Sequence, residues 1–512
     1  MFMKIYVICD SDEKKCLETV ANFFESKEIE LVTEFNQIES HNDRVVVSHS
    51  IIHRLKKFNL GNFTNLYLYH AGNVVPTKDE KSLLDLLEDA IEHENWEKAK
   101  GINELLIDIN FIYRKNCLSS MPDYLQIETT SFCNAKCIMC SHYFSDNVGA
   151  ARLGDLTLER MEDAIQLSRT ISLNGMGEPF ISDRLPDQID YYASMGNKIV
   201  TNTNLSFLNE RLISHINNHF EWIEVSCDGA TKETYEAIRR NLSFETFLKN
   251  LFILKERCPH VRKHIASVVM RQNVHEMPEL VRLACNAGAS IITFMTLNSN
   301  IVIQNQKDEM RYYPKVLEYY SVKAIEMGEK CGIPVIVPNM NSLDRSITYE
   351  EILDELNLMK QAPFYKDACE LEKMKRTASV VSTYLKTHDE IQKDTKASDV
   401  RCWGICDWLL RQSYIDLKGN VAMCCRNQSF HTGNVNESGS FSAVWNSSFY
   451  QKLREIFYSG YVPEACLKCG LIESGNLKFL SVDINEHFYC DPEYKMRQRD
   501  TLNALLEGVG QQ

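Results

Sequence analysis

Apolar and polar positions alternate along the first part of the chain in a pattern typical of an α/β domain. Short β-rich runs, among them MKIYVICD, IELVTEF, RVVVSHS and NLYLYHAG, alternate with helical segments between residues 1 and 76. No G-x-G-x-x-G or phosphate-binding loop accompanies them, so nothing there indicates nucleotide binding. From about residue 79 to 115 the apolar spacing becomes helical and charged, which predicts a helical connector.

A second and longer alternation begins near residue 123. Helical segments separate six candidate strands, which are YLQIETT, RTISLNG, NKIVTNTN, WIEVSCDG, KHIASVVMRQN and IITFMTL. Repeated strand–helix units favour a parallel sheet, here curved into a partial (β/α)6 barrel. In such folds the chemistry lies at the carboxyl ends of the strands. The sequence therefore predicts an α/β fold whose functional residues follow these six strands.

Composition narrows the class of protein. At 512 residues the chain exceeds the usual size of one hydrophobic core. Its net charge of −14 argues against a nucleic-acid partner, which would need clustered Lys and Arg. No apolar run is long enough for a membrane helix, and the start MFMKIYVICDSDEKK lacks a signal-peptide layout. We therefore expect a cytoplasmic protein without a membrane partner, whose 18 cysteines serve as metal ligands and buried thiols.

Three cysteines lie close together directly after the first strand of the predicted barrel. Cys133, Cys137 and Cys140 have the spacing C-x3-C-x2-C within SFCNAKCIMCSHYF. A structural zinc site is closed by four ligands that usually come as two pairs, and an odd trio leaves one thiol without a disulfide partner. Three thiolates suit a metal centre that keeps one coordination position open for chemistry, although zinc remains the alternative.

This spacing resembles that of the radical S-adenosylmethionine (SAM) superfamily, and the segments that follow resemble it in order from residue 123 to 300. The resemblance implies a [4Fe–4S] cluster on Cys133, Cys137 and Cys140, with SAM bound to the fourth iron. It also implies an electron donor such as flavodoxin or ferredoxin. Reductive cleavage of SAM then gives a 5′-deoxyadenosyl radical, which abstracts hydrogen from a C–H bond. The cofactors carry that chemistry, and the protein positions them.

The resemblance also implies SAM-binding residues after four of the strands. LNGMGEPF is similar to the glycine-rich SAM motif, in which the glycines permit close approach of the backbone and a glutamate receives the ammonium group. The segments TNTNLSFL, VSCDGATKETYEAIRR and VVMRQNVHEMPEL resemble the three that follow. The implied contacts are Gly175, Gly177, Glu178, Asn202, Asn204, Ser226, Asp228, Arg271 and Asn273.

Cysteines return near the carboxyl end of the chain. Their spacing resembles the auxiliary-cluster domains called SPASM and Twitch, with Gly419 in its usual place between the first two cysteines. The resemblance implies one auxiliary [4Fe–4S] cluster, with no second one because position 475 is glycine. Structural zinc is the alternative occupant. The expected ligands are Cys406, Cys424, Cys466 and Cys469, with Cys402 and Cys425 as near alternatives.

We therefore expect an enzyme that modifies a peptide or a small-molecule or sugar substrate, with oxidation through the auxiliary cluster. The alternatives are a redox-neutral radical SAM epimerase and a non-catalytic iron–sulfur or zinc protein on a degenerate barrel. The expected parts are a small α/β domain with its helical connector, the radical SAM barrel, a helical connector, the auxiliary-cluster domain and a tail. They span residues 1–118, 119–335, 336–400, 401–485 and 486–512.

Overall fold

The chain contains two main β-sheets. The computed structural model describes residues 5–8, 20, 24, 29–31, 44–48, 65–70, 73–140, 151–297, 308–338, 340, 343–361, 397–401, 406–425, 431–459, 461–463 and 466. Among these residues, every helix is too short or too polar to cross a membrane.

The first sheet has five strands in the order β2-β1-β3-β4-β5, of which the first four are parallel. Both of its faces are buried, since Tyr6 and Ile8 pack on one side while Ile5 and Val7 pack on the other. Burial on both faces explains why the strands read as continuous apolar runs. The strands are β1 (Ile5–Ile8), β2 (Ile29–Leu31), β3 (Arg44–Ser48), β4 (Asn65–His70) and β5 (Asn73–Pro76).

Two helices, α1 (Glu80–Glu92) and α2 (Trp96–Ile112), follow the first sheet. Asn95 caps α2 by accepting a hydrogen bond from the backbone of Lys98. Apolar side chains of α2 pack against the first sheet, and the buried Asn103 donates to the backbone of Leu167 in the second domain. The predicted connector therefore contains a helix, α2, that packs on the first sheet and is hydrogen-bonded to the second domain.

The second sheet has ten strands in the order β14-β13-β12-β10-β9-β8-β6-β16-β17-β18. Its six central strands are the six that the sequence predicts, and all are parallel to their neighbours, which confirms the partial barrel. They are β6 (Tyr124–Ile127), β8 (Thr170–Ser172), β9 (Lys198–Thr203), β10 (Phe220–Ser226), β12 (Arg262–Val269) and β13 (Ile291–Thr296).

Helices between these strands cover one face of the sheet. Leu125, Ile199 and Val225 point toward them and join the main apolar core. The alternate positions, such as Gln126, Asn202 and Ser226, therefore point to the opposite face. The helices are α3 (Asp155–Glu159), α4 (Glu162–Leu167), α5 (Leu185–Ser194), α6 (Glu210–His219), α7 (Lys232–Ile238), α8 (Phe244–Arg257), α9 (Met277–Asn286), α10 (Pro314–Cys331) and α11 (Leu353–Gln361).

The carboxyl-terminal region extends the same sheet. β16 lies parallel to β6, and β17 and β18 continue antiparallel from it. At the far edge, β14 (Val335–Ile336) pairs with β13. The remaining elements are β7 (Lys136–Cys137), β11 (Arg239–Arg240), β15 (Ala397–Arg401), β16 (Gln412–Ile415), β17 (Asn420–Ala422), β18 (His431–Asn434), β19 (Tyr461–Pro463), α12 (Val435–Ser438), α13 (Phe441–Trp445) and α14 (Ser448–Tyr458).

Candidate active site

The cysteine-rich loop leaves the carboxyl end of β6 and is fixed by the segment that follows α7. β7 pairs antiparallel with β11, which sets Cys137 opposite Arg239. The backbone of Ile138 donates to Ile238 at 3.0 Å, and that of Cys140 donates to Cys137 at 3.2 Å. These bonds fold the loop back on itself, so its cysteines lie near one another beyond the carboxyl end of β6.

The three cysteine thiols lie close enough together to influence one another electrostatically. Burial, together with Glu178 and Cys140, raises the pKa of Cys133 to about 11, and a hydrogen bond from the backbone of Ala135 opposes that rise. Burial likewise raises the pKa of Cys137 to about 12, with Cys140 and Cys133 among its charged neighbours. Three converging thiols supply the soft donors that an iron–sulfur cluster requires, so this loop could hold one. Among the described residues, no three His, Cys, Asp or Glu side chains lie close enough together to bind a single metal ion.

The glycine-rich loop after β8 packs directly on the cysteine loop. A Cβ atom at Gly177 would lie 2.1 Å from the carbonyl oxygen of Thr130, and one at Gly175 would lie 2.5 Å from Cγ of Glu128. The backbone of Glu178 donates to the carbonyl of Phe132 at 2.8 Å. These glycines therefore allow two segments of the protein to approach each other closely. The sequence analysis expected them to allow close approach of the backbone to SAM instead.

Glu178 joins the glycine-rich loop to the end of β9. One carboxylate oxygen accepts from the backbone of Phe180 at 3.1 Å and from the hydroxyl of Thr203 at 2.6 Å, and the other accepts from the backbone of Asn204 at 2.7 Å. Burial raises the pKa of Glu178, and these three donors oppose that rise. An ionised carboxylate has about four acceptor positions, so one remains for a ligand.

Two predicted contacts, Asn202 and Ser226, lie on the sheet face opposite the helices, near the carboxyl ends of β9 and β10. Both are partly exposed. Asn202 donates to the carboxylate of Glu224 at 2.7 Å. Asn204 lies beyond β9 and donates to the side chain of Asn134 at 3.1 Å, which ties the end of that strand to the cysteine loop.

Two other predicted contacts have partners within the protein. Asp228 is fully buried, accepts from the backbone of Val268 at 2.7 Å and lies 2.7 Å from Nε of Arg239. Burial raises the pKa of Asp228, whereas Arg239 lowers it. Arg271 donates to Asp308 through two nitrogens, at 2.9 and 3.1 Å. The SAM contacts of Asp228 and Arg271 stay predictions, and the structure shows a structural role for each.

Asn273, also expected near the adenine, bridges two backbones. It donates to the carbonyl of Asp228 at 3.0 Å and to that of Val268 at 2.9 Å. Its own carbonyl accepts from the backbone of Met270 at 2.8 Å. These bonds hold the ends of β10 and β12 together.

Three of the predicted auxiliary ligands lie near one another beside β16. Burial raises the pKa of Cys406 well above its usual value, and the nearby Cys466 and Cys424 raise it further. Cys406 and Cys424 pack against Tyr414, with Cys425 beside them. Cys469 and Cys402 lie outside the described residues. Cys406, Cys424 and Cys466 could therefore hold an auxiliary cluster with one further ligand.

The sequence reasoning missed two residues of the site. Arg239 donates to Sγ of Cys137 at 3.9 Å, but an Arg-Arg pair at a helix end gives no signal of burial. Glu128 accepts from the backbone of Met176 at 2.8 Å and from that of Leu417 at 3.3 Å. Its place at the carboxyl end of β6 was a usable signal, because functional residues gather there.

Two family models match the segments that carry these cysteines. Residues 127–284 match the Radical SAM superfamily, and residues 406–470 match the SPASM iron–sulfur cluster-binding domain. The chain therefore contains a radical SAM domain and a SPASM domain. The first domain implies a SAM-binding [4Fe–4S] cluster, and the second implies auxiliary iron–sulfur binding.

Curated relatives match about a third of the chain. It is 27% identical over 184 residues to a tungsten-containing aldehyde ferredoxin oxidoreductase cofactor-modifying protein of Pyrococcus furiosus, covering 34% of this chain and 51% of the relative. It is 27% identical over 177 residues to the mycofactocin maturase MftC of Mycolicibacterium smegmatis, covering 33% and 43%. The chain thus spans about half the length of these relatives.

The chain also has a loose structural resemblance to Streptococcus suis SuiB bound to S-adenosylmethionine. The TM-score is 0.47 at 14% sequence identity, over 76% of this chain and 82% of SuiB.

Proposed function

We propose that this chain is a radical SAM enzyme that removes a hydrogen atom from a C–H bond of its substrate and oxidises it with the help of an auxiliary cluster. The observation that carries the proposal is the convergence of Cys133, Cys137 and Cys140 beside Glu178, at the carboxyl end of a parallel barrel. A cluster and SAM bound there supply a 5′-deoxyadenosyl radical when one electron arrives from a flavodoxin or a ferredoxin.

The residues around the loop support binding of SAM next to the cysteines. Glu178 is anchored by three donors and keeps one acceptor position, which suits an ammonium group. Asn202 and Ser226 are the predicted polar contacts on the same face of the sheet. We propose that these residues orient SAM, while the buried Asp228 acts by fixing the loop.

The arrangement of the sheet supports the oxidative form of the reaction. Tyr414 packs on the auxiliary cysteines and lies in register with Gln126 on the neighbouring strand β6. The auxiliary thiols therefore lie one strand away from the strand that leads to the cysteine loop. A cluster held by Cys406, Cys424 and Cys466 would supply an acceptor for the second electron of the oxidation, with the proton released to solvent.

Two substrate classes remain, a peptide and a small molecule or sugar. The curated relatives are named as a cofactor-modifying protein and a mycofactocin maturase, which favours a substrate that is modified during its maturation. A redox-neutral epimerase is the second candidate reaction, since the same radical site serves it without an electron acceptor.

The first test is cleavage of SAM. Protein reconstituted anaerobically with iron and sulfide, then reduced with dithionite, should convert SAM into 5′-deoxyadenosine. The variant with Cys133, Cys137 and Cys140 all replaced by Ala should not. Absence of 5′-deoxyadenosine from wild-type protein with its clusters loaded would rule out the proposal and favour a non-catalytic iron–sulfur protein.

The second test separates oxidation from epimerisation once a substrate is in hand. Cys469→Ala removes a predicted auxiliary ligand and should still permit one round of SAM cleavage, but with little product lighter by two hydrogens. Product of unchanged mass from both proteins would instead support epimerisation. Zinc rather than iron at this site after strictly anaerobic purification would contradict the oxidative proposal.

A further inference from the structure

A buried arginine lies between a cysteine of the radical SAM loop and a buried aspartate. Nη1 of Arg239 donates to Sγ of Cys137 at 3.9 Å, and Nε lies 2.7 Å from Oδ2 of Asp228. The side chains of Arg239 and Asp228 are 9% and 0% exposed. Nothing in the motif resemblance assigns a role to Arg239.

The local backbone fixes this arrangement. β11 begins at Arg239, directly after α7, and its antiparallel pairing with β7 holds residues 239 and 137 opposite each other. Asp228 is held in turn by a hydrogen bond from the backbone of Val268 at 2.7 Å. The second carboxylate oxygen faces Nε of Arg239, so the two side chains form a buried ion pair that keeps the guanidinium in place.

We propose that Arg239 is a positioning residue that raises the reduction potential of the cluster on Cys137, and that Asp228 limits this effect. The inference rests on the proposed function, which assigns that cluster to the cysteine loop. Reduction adds a negative charge to a cluster, and a buried cation beside one of its thiolates stabilises that charge. Hydrogen bonds to the ligand sulfurs are a known control on the potentials of such clusters.

The contacts show which of the two charges acts more strongly on the sulfur. Nη1 of Arg239 contacts Sγ of Cys137 directly, whereas Asp228 lies against Nε of the same guanidinium. Because electrostatic interaction weakens with distance, the cation is the dominant charge at this sulfur, and the pair has a net positive influence on it.

The test is a redox titration followed by electron paramagnetic resonance (EPR), in which the radical SAM cluster is recognised as the signal that changes when SAM is added. Arg239→Gln should lower its potential by about 59 mV or more, a tenfold shift of a one-electron equilibrium. Asp228→Asn should raise it. The double variant should lie between Arg239→Gln and wild type, because it loses both charges but the dominant one was positive.

Arg240→Gln is the matched control, since Arg240 is the next residue of β11 and pairs opposite Lys136 rather than Cys137. It should leave the potential unchanged, and the auxiliary signal should stay fixed in every variant. Arg239→Lys should recover part of the shift. If Arg239→Gln does not assemble its cluster, the double variant avoids an unpaired buried aspartate and carries the same prediction of a lowered potential.

Equal shifts in Arg239→Gln and Arg240→Gln, or a potential unchanged in Arg239→Gln and the double variant, would overturn the role of Arg239. If no EPR signal of the wild-type protein changes when SAM is added, the proposed function itself is contradicted. The two failures are therefore distinguishable within one experiment.

Discussion

Glu178 shows how one side chain can serve both the fold and a ligand. Its carboxylate uses three acceptor positions within the protein and keeps about one of the four free. Glu178→Gln replaces an oxygen with a donor and removes the charge. We expect SAM binding to weaken by about 1.5–3 kcal/mol, the range for hydrogen bonds to charged groups, measured by titration calorimetry on cluster-loaded protein.

Glu276 provides a matched control for this substitution. It is also a buried glutamate with internal donors, accepting from the backbone of Ala230 and from the hydroxyls of Thr231 and Thr234 at 2.6 to 2.8 Å. Glu276→Gln should therefore lower stability without changing the affinity for SAM. Equal loss of affinity in both variants, or none in Glu178→Gln, would move the ammonium contact elsewhere.

Motif resemblance could predict which residues gather at the site but not what each one contacts. Asp228 and Arg271 belong to segments expected beside SAM. In the structure Asp228 forms an ion pair with Arg239, and Arg271 forms one with Asp308. Such pairings join residues far apart in sequence, so they depend on tertiary packing that no local pattern encodes. Arg239 escaped the sequence analysis for the same reason.

At the scale of the elements, the glycine-rich loop is tightly constrained by its contact with the cysteine loop. Ala at position 177 would bring its Cβ within 2.1 Å of a backbone oxygen that cannot move independently of the cysteine loop. We expect Gly177→Ala to lower the free energy of unfolding by about 1–3 kcal/mol, the usual cost of overpacking, and to weaken SAM binding. Chemical denaturation of the metal-free protein measures the first effect.

Gly154→Ala is the control for this loop, because the nearest atom to a Cβ there is 4.0 Å away. Because Gly154 caps α3, we expect a loss of less than about 1 kcal/mol and no change in SAM binding. If Gly177→Ala behaves like Gly154→Ala, the contact between the two loops is not a constraint on the site.

The sequence predicted the six central strands because each is an apolar run bounded by polar segments. It did not predict that β16 to β18 continue the same sheet, because strands such as NVA and HTGN are too short and polar to show a pattern. The two-residue pairing of β7 with β11 was equally hidden, since its register comes from the packing of α7. Strongly periodic elements could thus be predicted from the local sequence, whereas strand pairings that depend on tertiary contacts could not.

At the scale of the molecule, two kinds of contact join the carboxyl-terminal region to the barrel. One is the pairing of β16 with β6, and the other is a set of buried polar contacts. The fully buried Arg454 donates to the backbones of Leu409 and Asn116, at 2.8 and 2.9 Å, and stacks 4.5 Å from the ring of Trp445. The indole of Trp445 donates to the backbone of Ser120 at 3.2 Å. These contacts fix the auxiliary cysteines relative to β6.

Two adjacent cysteines allow the auxiliary assignment to be tested. Cys424→Ala should lose about four irons per chain, one cluster's worth, and keep the SAM-dependent EPR signal. Cys425→Ala should keep both clusters, because Cys424 is the one that we assign as ligand beside Cys406. The reverse result, with iron lost only from Cys425→Ala, would assign the ligand to Cys425. Iron analysis and EPR on anaerobically prepared protein decide between them.

The central claim is that the loop of Cys133, Cys137 and Cys140 holds a SAM-binding cluster separate from the auxiliary one. The most direct measurement is the iron content and EPR spectrum, with and without SAM, of the variant in which all three become Ala. We predict a fall from about eight irons to about four, with the remaining signal indifferent to SAM. A variant that keeps a SAM-dependent signal, or loses no iron, would contradict the claim.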